Sequence, residues 1–85
     1  MRHAHPAALD QLEPLLARLR GIGGLKEKGR GVFYRGAKAF LHFHEDPAGL
    51  FADIRSADGT DFDRIQIDAA EAQEALVRMA GERAK

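Results

Sequence analysis

The densest group of side chains able to do chemistry is His42-Phe43-His44-Glu45-Asp46. On an extended strand, alternate residues share a face and stand roughly 6.6 to 7 Å apart. Two imidazoles at that spacing can hold one metal ion, so His42 and His44 are candidate ligands for a divalent metal. Glu45 or Asp46 would have to complete such a site, and adjacent residues seldom converge on one point. His3 and His5 are the remaining histidines. Two solvated strand histidines without an ion are the commoner outcome of this pattern.

A second chemistry is stacking and charge. Ala39-Phe40-Leu41-His42-Phe43 matches the second half of the RNA-recognition-motif signature, which places an exposed Phe for base stacking. The first half fails, because Gly36-Ala37-Lys38 stands where a basic residue, glycine and aromatic are required. Leu19-Arg20-Gly21-Ile22-Gly23 resembles the hairpin of helix-hairpin-helix motifs, where glycine N–H groups hold a phosphate. A glycine-rich helix stop explains it more simply. Around it Arg20, Lys26, Lys28 and Arg30, with Arg18 beside them, form a basic loop that a phosphate backbone can use without any motif. For catalysis little is present. Ser56 and Thr60 have no His nearby in sequence, and no P-loop, nucleophile-elbow, zincin or EF-hand spacing occurs. The expectation is a non-enzymatic binding domain with no cofactor.

The elements that must position these residues follow from periodicity. Leu9, Leu12, Leu15, Leu16 and Leu19 recur at three and four, which predicts a helix over 7–20, interrupted by Pro14. Residues 21–31 read as a loop with at most one turn of helix. From Val32 the period becomes two. Gly36-Ala37 has the chemistry of a type II′ hairpin turn, setting Arg35 opposite Lys38, Phe33 opposite Phe40 and Val32 opposite Leu41. Leu50–Arg55 and Arg64–Ile67 make two more strands, with a turn at Asp58-Gly59. Asp68 and Glu71 have capping-box spacing, opening a helix that ends near Ala80 with Gly81 as its stop. Glu74 sits four residues before Arg78, a pair on that helix.

The order helix, four antiparallel strands, helix implies an α+β fold of two layers, both helices on one face of a meander sheet. One strand parity, including Val32, Tyr34, Leu41, Phe43, Ala52 and Ile54, is apolar and belongs under the helices. The other collects Phe33, Arg35, Lys38, Phe40, His42, His44, Phe51, Asp53 and Arg55 on an open face. Three Phe on an open face mark it as the expected binding surface. Its expected occupants are a nucleic acid or other anionic partner, a second copy in a homodimer, or a metal ion at His42 and His44.

Composition agrees with one compact domain over 1–85, ordered over about 7–80. Lys and Arg equal Asp and Glu at 13 each, no Cys occurs, and no apolar run approaches the roughly 20 residues of a bilayer span. Disulfides and thiolate sites are thereby excluded, and the chain is expected to be soluble and cytoplasmic. The neutrality hides a division. Residues 1–44 carry eight basic and three acidic side chains, while residues 45–85 carry five and ten. Such an asymmetry serves a partner, or lets the two halves attract each other.

The stretch Gly31 to His44, with its Arg-Gly-Ala-Lys-Ala-Phe hairpin between an N-terminal and a C-terminal helix, resembles the MmcQ/YjbR-like small bacterial domains over residues 7–80. The resemblance implies the α+β fold shared with bacterial frataxin and a DNA-binding role. Frataxin-type iron binding requires an acidic first helix, where this chain has only Asp10 and Glu13 among Arg18 and Arg20.

Overall fold

A computed structural model describes residues 2–85, so Met1, which the expected domain includes, lies outside the described residues. The chain order is β1 (Arg2–His3), α1 (Pro6–Gln11), α2 (Glu13–Arg20), β2 (Leu25–Gly29), β3 (Val32–Arg35), β4 (Lys38–Asp46), β5 (Gly49–Arg55), β6 (Phe62–Gln66) and α3 (Ala70–Arg83). The α+β class and the antiparallel meander are as expected. Their number is not: the described residues form six strands and three helices where four and two were expected. Strands β2 to β6 follow one another across the sheet, and β1 pairs with the half of β4 that β3 does not reach.

Pro14 accounts for the extra helix. It lies in the first turn of α2, where its missing N–H costs nothing, and the chain bends at Leu12 between the two helical pieces. Leu9, Leu12, Leu15, Leu16 and Leu19 stay buried on one stripe across the bend. The extra strand β2 was expected as loop because Lys26-Glu27-Lys28 is polar. It is an edge strand, pairing Leu25 with Arg35 and Lys26 with Tyr34, and charged residues suit an edge that must not recruit another chain. Gly31, at φ 78°, lets the chain turn from β2 into β3 where a Cβ would lie 2.9 Å from Leu9 Cδ2.

The C-terminal helix departs from its expected boundaries at both ends. Asp68 caps nothing; its carboxylate accepts the Leu50 N–H at 3.1 Å and the Gln66 amide at 2.8 Å, and Ala69 is the N-cap without a side-chain bond. The helix runs through Gly81 to Arg83 because Ala80 before the glycine and Ala84 after it both pack into the core. Glu74 reaches Arg18 on α2, not Arg78, for its hydrogen bonds.

The leucines of α1 and α2 meet Leu76 and Ala80 of α3 and Leu41, Phe43, Ala52, Ile54 and Ile67 of the sheet in one buried cluster. This is the expected face for β4, β5 and β6. Strand β3 is turned over relative to the expectation. A bulge in β4 lets Phe33 face Leu41 and Tyr34 face Ala39, leaving Phe40 as the extra residue, while Arg35 still faces Lys38. Gly36, at φ 62°, makes the hairpin turn. The expected Phe33–Phe40 and Val32–Leu41 pairs therefore do not form. Phe33 is 1% exposed and Phe40 3%, both in the core, while Val32 and Tyr34 are half-buried on the other side.

Candidate metal centre

Beyond the bulge the alternation of β4 is regular, so Leu41 and Phe43 point to the helices and His42 and His44 to the open face. On β5 the same alternation sends Asp53 and Phe51 there, opposite His42 and His44 in register. On β6 it sends Arg64 beside Asp53. Strand β1 adds a residue that spacing along the chain does not reveal, since His3 is the register partner of His44.

These side chains converge. His42 Nδ1 lies 3.0 Å from His44 Nε2. One ligand nitrogen from each of His3, His42 and His44 falls in a group spanning no more than 4.8 Å. The His3 and His44 rings stack with centroids 4.9 Å apart, and His42 meets His44 edge-on at 4.9 Å. Behind them His44 Nε2 stands 3.0 Å from Asp53 Oδ2. Asp53 is only 7% exposed, and Arg64 binds both its oxygens at 2.7 Å. Phe62 closes one side, its ring 5.1 Å from that of His42.

The electrostatics favour neutral imidazole at His42 and an ionised carboxylate at Asp53. Burial, followed by the neighbouring His44, pushes the His42 pKa down, outweighing the attraction of Asp53. The Arg64 guanidinium holds the Asp53 carboxyl below its ordinary range against the opposing effect of burial. A neutral imidazole with an unprotonated nitrogen is the form that ligates a metal.

With metal–nitrogen distances of roughly 2.05 Å, two nitrogens 3.0 Å apart subtend roughly 95° at a shared ion, close to octahedral; a tetrahedral ion needs them to separate by roughly 0.3 to 0.4 Å more. Imidazole donors suit zinc, copper, iron and nickel in preference to magnesium or calcium. Three ligands from two adjacent strands leave the solvent side of such an ion open.

The other expected site residues are distributed differently. His5 is not in the cluster; its backbone N–H and its Nδ1 both meet Glu45 Oε1, at 2.6 and 2.9 Å. Of the three Phe expected on the open face, only Phe51 is there, half-buried, because the bulge carries Phe33 and Phe40 into the core. The basic loop is largely neutralised. Arg20 bonds Glu27 and Glu13, Arg30 bonds Asp10 and Glu13, and Arg18 bonds Glu74. Lys28 lies 4.4 Å over the Tyr34 ring, and Lys26 is exposed. Arg35 and Lys38 stand at the hairpin end of the sheet, where Arg35 donates to the Ala84 carbonyl at 2.9 Å and to a backbone oxygen of the last residue, Lys85, at 2.5 Å. Arg55 donates to the carbonyls of Ala39 and Gly59 at 2.7 and 3.0 Å.

Comparison with protein-family models, curated proteins and solved structures finds no match for this chain.

No helix of the described residues is long and apolar enough to cross a membrane.

Proposed function

We propose that the chain is a divalent transition-metal-binding domain whose ligands are His3, His42 and His44. The observation that carries this reading is the convergence of the three imidazoles, with one nitrogen of each inside a 4.8 Å group on the open sheet face. Solvated histidines repel when protonated and have no reason to gather; here the His44 ring has His3 stacked on it, His42 edge-on to it and the Asp53 carboxylate in contact with it. Asp53 contributes its negative charge: its Oδ2 lies 3.0 Å from His44 Nε2, the nitrogen that also faces His42, so it holds that ring in the free protein and offsets the charge of an ion bound there. Its own hold on position comes from Arg64.

Zinc titrated into the full chain by calorimetry should bind one to one. His42→Ala, His44→Ala and His3→Ala should each weaken binding at least tenfold, with the fold retained by circular dichroism. Cobalt(II) should give visible bands whose intensity reports the coordination number. Absence of zinc heat, or zinc affinity unchanged in the His42→Ala, His44→Ala double variant, overturns the reading.

A further inference from the structure

Four of the nine arginines of this protein are held by carboxylates alone: Arg18 by Glu74, Arg20 by Glu13 and Glu27, Arg30 by Asp10 and Glu13, and Arg64 by Asp53. One group is handled in another way. At the end of the sheet, between the β3–β4 hairpin, the turn after β5 and the last turn of α3, Arg35, Lys38, Arg55 and Arg83 line one cleft of about 230 Å³. Arg55 is held by the backbone carbonyls of Ala39 and Gly59, and Arg35 by the Ala84 carbonyl and by a backbone oxygen of the last residue, Lys85. Arg83 bonds the Arg55 carbonyl at 3.0 Å as well as Asp63 at 2.8 Å. Among the described residues Lys38 forms no ion pair.

The difference matters physically. A carbonyl fixes a guanidinium in place but carries no net charge, so the positive charge stays available to a ligand. A carboxylate partner cancels it. Asp58 is the one acid among the lining residues, and its Oδ1 is held to its own turn by the Ser56 and Thr60 hydroxyls and the Thr60 N–H at 2.6, 2.8 and 3.1 Å; its negative charge remains, set against four cationic side chains in the same lining. Arg55 is further steadied by the Phe62 ring, 4.6 Å below its guanidinium carbon. Fixed guanidiniums around a small polar cleft are the arrangement that recognises tetrahedral oxyanions through paired N–H donors.

We propose that this cleft binds the phosphate group of a small phosphorylated ligand. Its volume is below the roughly 300 Å³ at which sites for larger organic ligands begin, which suits a phosphate with a short attached group. A nucleic-acid strand is the less fitting source of the same group. Following a backbone needs a track of available cations, and Arg18, Arg20 and Arg30 are paired with carboxylates. The cleft is separate from the histidine cluster, so the two readings stand or fall apart.

The test is calorimetry or ¹⁵N-detected NMR of the full chain with inorganic phosphate, methyl phosphate and a single-stranded oligonucleotide, in chloride buffer containing a chelator to silence the metal centre. Saturable binding of inorganic or methyl phosphate is expected, with shifts centred on Lys38, Arg55 and Gly59. Lys38→Gln, which breaks no contact, should weaken it at least fivefold, and Lys38→Arg should restore it. Arg55→Gln should weaken it at least tenfold. Non-saturating shifts that chloride reproduces, or affinity unchanged in Lys38→Gln and Arg55→Gln, overturn the proposal. Tight oligonucleotide binding with no response to either small phosphate overturns it in favour of a polymer.

Discussion

Arg64 grips Asp53 through two hydrogen bonds of 2.7 Å, Nε on Oδ1 and an Nη on Oδ2, on the open face of the sheet beside His44. A buried carboxylate is tolerable there only because it has both a guanidinium and an imidazole. Asp53→Asn removes the charge and half of the pairing. We expect it to destabilise the fold by about 1–3 kcal/mol in urea titration. It should also lower zinc affinity by roughly ten- to a hundredfold, since the negative charge beside the bound ion is lost. A purely structural role would move the first readout and leave the second unchanged.

Phe33→Ala should cost about 3–5 kcal/mol, the price of a cavity in a packed core, measured by denaturant midpoint. An exposed cross-strand aromatic would cost at most about 1 kcal/mol. This experiment therefore decides between the two faces of β3. The periodic leucines, the hairpin at Gly36 and the alternation of β4 after Phe40 were legible in the residues. The face of Phe33 was not. A strand's side chains alternate with period two, so one inserted residue in β4 reverses the assignment of everything on β3. No residue type near Phe40 announces the insertion. Likewise His42 and His44 could be read as a pair from their spacing, whereas His3 enters through a two-residue strand whose pairing is a tertiary fact. The charged edge strand β2 looked like loop for a related reason: three of its five residues are exposed and only Leu25 and Glu27 are partly buried, too few to show a period.

Gly31 is expected to resist replacement. Gly31→Ala places a methyl group at φ 78° and within 2.9 Å of Leu9 Cδ2, a side chain already packed in the core. Left-handed strain and overpacking together should cost about 2 kcal/mol or more. Gly29→Ala is the control, because no φ penalty and no close neighbour exist there. If the two variants melt at the same temperature, the close approach between the β2–β3 turn and α1 is wrong.

Arg18 on α2 and Glu74 on α3 join the two halves of opposite charge, each terminal guanidinium nitrogen meeting one carboxylate oxygen. Both side chains are about half exposed, so the coupling in a double-mutant cycle should be small and should shrink further in high salt. A larger, salt-insensitive coupling would mean that the helices depend on this pair and not on their leucines.

Asp58 should titrate with a midpoint near pH 2. The Ser56 hydroxyl, followed by the Thr60 N–H and hydroxyl, stabilises the ionised carboxylate and holds its pKa at about 2, against an ordinary value of 3.8. Because the folded pKa is depressed, the turn's contribution to stability is fully present above pH 3.8, declines as pH falls through the window between 3.8 and about 2, and is gone below it. Carboxyl ¹³C NMR of the intact chain should show this low midpoint. Ser56→Ala removes the largest contributor and should move the midpoint upward, toward 3.8, while Thr60→Ala moves it less, since the Thr60 N–H at 3.1 Å survives the change. A midpoint near 3.8 in the unmodified protein would show that Asp58 is not locked in its turn, and would leave it able to compete for the cations of the cleft it lines.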